Sequence, residues 1–260
     1  MALVYSVKGD YYRAILNYEQ VLLIEKENLG DCKEVAQTYE LLGHLYCVKN
    51  HYESALDCYQ DALEIRIKVC GYNDFSIGDT QFLIGKMYNL MKQHGMAMIY
   101  LQKSLQSKKR NAKEGHTSMV RVIQAIGVTH YSMKDYTSAL ACFEEVVALR
   151  RSTEWQEDQE LIQSAKTFYL LANTLYELNL YTKAIYAYMR TLRVLRLQFG
   201  RRHEEIVLVQ QKLRKVYLKQ GDLPRATKCY YESIQMKKEL DVMEKEKKNS
   251  SSKLFPKNIQ

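Results

Sequence analysis

Acid–base, nucleophilic and metal chemistry rests mostly on histidine, cysteine and carboxylate side chains held at short, fixed spacings. This chain has six histidines, at 44, 51, 94, 116, 130 and 203, and six cysteines, at 32, 47, 58, 70, 142 and 229. No two cysteines form a CxxC pair, and no Cys/His spacing is that of a zinc site. H-E-x-x-H, the phosphate-binding glycine loop and G-x-S-x-G are all missing from the sequence. His44 and His51 are seven residues apart, but the turn residue Asn50 separates them. The sequence therefore predicts no catalytic residue, no metal site, no cofactor and no small-molecule substrate, and the chain is not read as an enzyme. The remaining chemistry is reversible recognition by cations, amides and phenols.

Those groups are positioned by a repeated helical element, clearest in Tyr39–Gly71. Tyr39-x2-Leu42-Gly43-x2-Tyr46 places apolar residues every three or four positions, as one face of a helix requires. Gly43 lacks a Cβ and would let a second helix backbone approach. Asn50-His51 breaks the pattern, and Ala55-x3-Tyr59 starts a second apolar face. Tyr-x8-Ala-x3-aromatic then serves as a ruler. It recurs, with substitutions, from Tyr5, Tyr46, Tyr88, His130, Leu175 and Tyr217, and its alanines are Ala14, Ala55, Ala97, Ala139, Ala184 and Ala226. Successive alanines lie 41, 42, 42, 45 and 42 residues apart, while the nine-residue gap never changes. Six copies held to one gap mean stacked hairpins, each covering the next one's apolar flank. His130, at a repeat tyrosine position, reads as a packed residue. Cys58, Cys142 and Cys229, each three residues after a repeat alanine, read as small apolar side chains in a reducing compartment.

Residues 1 to about 236 resemble the tetratricopeptide-repeat (TPR) family, whose signature is aromatic-x2-Leu-Gly-x2-Tyr…Ala-x3-Phe…Pro. Two features depart from the common form: the period is mostly 42 where ~34 is usual, and the closing proline is absent. Without that proline the second helix is expected to run on through Ala62–Cys70 and stop at Gly71. Ala62-Leu-Glu-Ile-Arg-Ile-Lys-Val-Cys-Gly-Tyr-Asn-Asp74 is similar to the long-period arrays of kinesin light chains. The resemblance implies an all-α, right-handed α-solenoid of about six hairpins, the first truncated. The repeats are placed at about 1–30, 35–71, 77–113, 116–151, 159–200 and 201–237, with a polar end helix and disordered tail over 238–260. The short first copy leaves Tyr5, Ile15, Tyr18 and Leu22 at an open edge, which suggests a piece of a longer protein, an incomplete gene model or a docked partner. The insert 150–158 holds the only tryptophan, Trp155, read as packing over the neighbouring turn.

The resemblance also implies that the first helix of each hairpin lines a concave groove. Positions a third of a turn from the buried stripe are Glu40 and His44, then Lys86 and Asn89. They continue as Arg121, Gln124 and Tyr131; as Lys166, Tyr169, Asn173 and Tyr176; and as Gln211, Lys215 and Lys219. Amides and cations of this kind suit an extended peptide bearing carboxylates. Glu40 and His44 stand where a chaperone-tail clamp would want Lys and Asn, so that specialisation is not expected. The predicted function is a protein–protein interaction scaffold or adaptor that takes peptide or helical segments, acidic ones included, in its groove.

The net charge is +8, and the segment 190–219 alone carries nine Lys/Arg against Glu204 and Glu205. Arg190, Arg193 and Arg196 lie on successive turns of one second helix, on its outer side. The alternative function is a basic convex surface for nucleic acid or an anionic membrane, or a self-inhibited regulatory array. No aromatic stacking platform accompanies the charge, which argues against nucleic acid. No signal peptide and no apolar run near ~18 residues is visible, so the chain reads as soluble and cytoplasmic, and the kinesin light chain resemblance adds a cytoskeletal association.

Overall fold

A computed structural model describes residues 2–72, 74–110, 116–151 and 158–254. Among these the chain is all-α, with twelve helices and no strand. Two compact units divide it, residues 1–135 and 136–260. The first unit contains α1 (Ala2–Val7), α2 (Tyr11–Leu29), α3 (Lys33–Val48), α4 (Tyr52–Cys70), α5 (Phe75–Leu90), α6 (His94–Arg110) and α7 (His116–Ser132). The second contains α8 (Tyr136–Arg151), α9 (Asp158–Glu177), α10 (Tyr181–Phe199), α11 (Glu204–Gln220) and α12 (Leu223–Leu254). Within each unit every helix packs on the next, and α5 also touches α7. This is a stack of antiparallel hairpins whose core runs along the stacking direction.

The constant nine-residue gap has a backbone cause. Gly9, Asn50, Lys92, Lys134, Asn179 and Gly221 each stand five residues before a repeat alanine, and each has a positive φ between 59° and 78°. The next amide in the chain, from Asp10, His51, Gln93, Asp135, Leu180 or Asp222, donates to the repeat-position carbonyl of Tyr5, Tyr46, Tyr88, His130, Leu175 or Tyr217 at 2.8–3.0 Å. That is the six-to-one bond of a Schellman ending. The carbonyl of the same residue then accepts the amide of the alanine in five copies: Ala14, Ala55, Ala97, Ala184 and Ala226. One residue thus closes one helix and opens the next, so an insertion between repeat tyrosine and repeat alanine would break both bonds.

The alanines occupy the helix crossings. Ala14, Ala55, Ala97, Ala139 and Ala184 have no exposed surface, and Ala226 has 2%. The aromatic or leucine four residues later is equally enclosed at Tyr59, Leu101, Phe143 and Tyr188, whereas Tyr230 in the last hairpin is 39% exposed. The glycines work differently from the expectation. A Cβ on Gly43 would meet the ring of Tyr59 at 2.6 Å, and one on Gly85 would meet Leu101 at 2.8 Å. At Gly43 the missing side chain makes room for a large neighbouring side chain, not for a backbone.

The run-on second helices are present. α2, α4 and α10 each have 19 residues and stop at Gly30, Gly71 and Gly200, with φ of 62°, 73° and 75°. Asp74 caps α5 by accepting the Ser76 amide at 2.9 Å. In the last hairpin α12 continues unbroken from Leu223 to Leu254. Trp155 and residues 255–260, on which the insert and tail readings fell, lie outside the described residues.

Candidate functional site

In the first unit, His44 on α3, Lys86 on α5 and Arg121 on α7 are exposed and electrostatically within reach of one another. Lys86 and Arg121 both lie over Phe82 of α5. The Lys86 ammonium lies 5.8 Å from the Phe82 ring centroid and the Arg121 guanidinium 5.2 Å from it, so two cations flank one aromatic ring. Phe82 is 7% exposed and held by the α5 packing. Sequence reasoning missed it because Phe82 takes the register of Glu40 one repeat on, where the second copy carries a polar group.

Glu40 would cancel this positive field were its carboxylate open. Instead it is tied inward. Arg66 of α4 donates to both its oxygens, at 3.2 and 2.9 Å, and the Thr80 hydroxyl of α5 donates to it at 2.5 Å. The pair is well shielded, at 13% and 16% side-chain exposure. Its charge is compensated inside the hairpin stack.

His44 is joined to the second helix of its own hairpin. Its Nδ1 lies 2.9 Å from the hydroxyl of Tyr59, and the rings meet edge-on at 5.6 Å. Burial lowers the His44 pKa; Glu40 opposes the shift, and Lys86 and Arg121 reinforce it. Burial likewise pushes the Tyr59 hydroxyl upward, so it stays protonated and can donate to the neutral imidazole.

Several other groove candidates hold their own fold together. Asn89 donates to the Thr129 hydroxyl at 2.6 Å, and its carbonyl faces His94 Nδ1 at 3.2 Å. Gln124 is buried, at 7% exposure, and Tyr131 is half-buried. The Asn89 contacts join α5 to α6 and α7.

In the second unit Asn173 repeats the role of His44: it accepts the Tyr188 hydroxyl at 2.5 Å. Tyr169 meets Tyr188 edge-on at 6.1 Å, and Tyr176 tilts against Tyr181 at 5.8 Å. Lys166, Gln211, Lys215 and Lys219 are exposed. On α10, Arg190 lies flat over Phe168 at 4.3 Å, whereas Arg193 and Arg196 are exposed.

The cysteines are all half-buried free thiols. Burial pushes Cys58 up to about 12, and raises Cys229 as well, so both are neutral thiols at ordinary pH. His130 Nδ1 lies 3.0 Å from Asp135 across the hairpin turn. Among the described residues no group of three His, Cys, Asp or Glu is arranged to hold a metal, and no helix is long and apolar enough to cross a membrane.

Stacked hairpins with a cationic, aromatic-backed first-helix face define a helical-repeat interaction scaffold. Residues 1–68, 78–111 and 121–153 each match the tetratricopeptide repeat, and the chain belongs to the tetratricopeptide-repeat family, with kinesin light chain resemblance. It is 24% identical over 237 residues to Protein KINESIN LIGHT CHAIN-RELATED 2 of Arabidopsis thaliana, covering 90% of this chain and 35% of that protein. Protein KINESIN LIGHT CHAIN-RELATED 1 of the same organism is 21% identical, with 90% and 38% covered. The chain thus spans little more than a third of the length of these relatives. Among solved structures, BtubC (BKLC) from P. vanneervenii superposes with a TM-score of 0.67 at 21% identity, covering 76% of this chain and 78% of that one. MamA from Desulfovibrio magneticus RS-1 superposes with a TM-score of 0.59 at 16% identity, covering 79% and 97%.

Proposed function

We propose that this protein is an interaction scaffold whose first unit takes acidic peptide or helical segments on the face formed by α3, α5 and α7. The carrying observation is the placement of Lys86 and Arg121 over Phe82, with His44 within their electrostatic reach, while Glu40 is paired with Arg66. A carboxylate of the partner meets two cations, whose positions are held by the buried aromatic ring between them. Lys166 and the α11 residues Gln211, Lys215 and Lys219 form a separate set on the second unit, offered to the same class of ligand. The names of the curated relatives support work as an adaptor in motor-linked transport, in the cytoplasm and beside the cytoskeleton.

The test is peptide capture followed by titration. Peptides recovered from an acidic peptide library are labelled and their binding is measured by fluorescence anisotropy against the full chain. Lys86→Glu with Arg121→Glu is expected to weaken binding at least about tenfold, equivalent to about 1.4 kcal/mol. Unchanged affinity in that double variant, with an unchanged circular dichroism spectrum, refutes this face as the site.

A further inference from the structure

The outer stripe of α10 carries large apolar side chains in solvent. Tyr186, Met189 and Leu197 are 65%, 56% and 71% exposed. The buried face of the same helix is already complete without them, through Ala184, Ala187, Tyr188, Thr191, Leu192 and Leu195. Tyr186, Met189, Arg193 and Leu197 follow one another at helical spacing, so the exposed stripe is continuous. With Phe168 of α9 they border a trough of about 1170 Å³.

The charged side chains that line the trough itself are arginines. Arg190, Arg193, Arg196 and Arg201 line the trough, and no carboxylate does among the described residues. Arg190 is stacked on Phe168, which leaves Arg193, Arg196 and Arg201 for a ligand. Arg196 and Arg201 also border an adjoining polar hollow of about 590 Å³, which Glu232 and Glu239 line as well. There Gln210, 2% exposed, keeps an amide oxygen with no hydrogen-bond partner.

We infer that this outer trough is a second docking surface, specific for an amphipathic acidic helix of another protein. Its apolar stripe covers Tyr186, Met189 and Leu197, and its flanking carboxylates meet Arg193, Arg196 and Arg201. The strip from Tyr186 to Leu197 is about 16 Å long, three turns of a bound helix. Nucleic acid or a bare anionic surface would use the arginines and leave the apolar stripe in water. The stripe is what selects a protein ligand. The site shares no residue with the α3, α5 and α7 face, and it stands or falls separately.

The probe is a fluorescein-labelled synthetic helix of about four turns, with leucine and tryptophan on one stripe and glutamate on both flanks. It is titrated against the full chain by anisotropy. Two controls carry serine at the apolar positions or lysine at the acidic ones. The probe is expected to bind and both controls to fail. Met189→Ser with Leu197→Ser, and separately Arg193→Glu with Arg196→Glu, weaken the probe at least about tenfold. Lys86→Glu with Arg121→Glu leaves it unchanged. All four outer side chains are exposed, so the fold survives their replacement, and thermal melts of each variant verify this. The inference is overturned by a probe that does not bind, or by equal binding of the serine control. It is also overturned by outer variants that bind like the natural chain, or by competition from duplex DNA or phosphatidylserine vesicles at matched charge.

Discussion

The Tyr59 hydroxyl lies 2.9 Å from Nδ1 of His44, and this bond ties an exposed histidine to a side chain with no solvent exposure. The second helix of a hairpin thereby fixes the orientation of a residue on the first. The same geometry recurs between Tyr188 and Asn173. In these two hairpins the buried tyrosine after the repeat alanine is both a packing element and a positioning group for a side chain of the first helix.

A pH dependence follows from His44. Burial lowers its pKa in the folded state, so folding favours the neutral ring. The stability this contributes is fully present above the ordinary histidine value of about 6.5 and is lost as pH falls through the lower folded value. Urea denaturation of the natural chain and of His44→Gln, measured from pH 7.5 to 5, should show the natural chain losing more stability on the acid side. Binding carries the opposite sign. A bound carboxylate favours the imidazolium, so affinity for an acidic peptide should rise as pH falls from 7 to 6 in the natural chain and stay flat in His44→Gln.

Gly43 and Tyr59 are coupled by contact. An added Cβ at Gly43 would stand 2.6 Å from the Tyr59 ring, which has no empty space to enter. Gly43→Ala should cost about 1–3 kcal/mol by overpacking. In the Tyr59→Leu background the same substitution should cost less, because the obstructing ring is gone. A double-mutant cycle by chemical denaturation measures the difference. Equal costs in both backgrounds would rule the contact out as the cause.

The hairpin count and the long period were legible in the sequence because each copy repeats one backbone device, the left-handed residue five positions before the alanine. The pattern of Tyr5, Tyr46, Tyr88 and Tyr217 records that device indirectly. The candidate face was only partly legible. Helical phase placed His44, Lys86 and Arg121 on one surface, but it could not show that Asn89 bonds Thr129 or that Gln124 is enclosed. Both depend on how closely α5, α6 and α7 approach. Glu40 shows the same limit: its phase faces the surface, yet Arg66, 26 positions away, draws the carboxylate inward. Phase gives direction from one helix axis, whereas partners come from its neighbours.

The turns offer a test of the backbone argument. Lys92 and Lys134 have φ of 61° and 63°, in the region that costs an L-residue about 1–2 kcal/mol. Glycine removes that cost but loses about 0.4–1 kcal/mol through greater freedom of the unfolded chain. Lys134→Gly should therefore stabilise the chain by at most about 1.6 kcal/mol. Lys134→Val, β-branched and intolerant of positive φ, should destabilise by more than the glycine variant gains. Thermal unfolding of the three chains orders them: glycine, lysine, valine.

Lys108 provides the last prediction. It stands in the basic run Lys108-Lys109-Arg110 at the end of α6. The structure encloses it: its side chain is 2% exposed, its ammonium lies 2.6 Å from Asp79, and the same ammonium sits 4.6 Å from the Phe75 ring centroid. Asp79 remains 45% exposed. This asymmetry decides which partner matters. Removing the Lys108 charge lets Asp79 turn to water, and methionine of similar length can fill the space, so Lys108→Met should cost less than about 2 kcal/mol or stabilise the chain. Asp79→Asn leaves an ammonium enclosed without its counter-charge, and should cost about 2–4 kcal/mol. Because the double variant has no buried charge left to strand, it should be more stable than Asp79→Asn alone. Equilibrium unfolding of the four chains closes the cycle. A double variant less stable than Asp79→Asn would show that the methionine does not fit between Phe75 and Gly78, and that packing, not charge, governs this crossing.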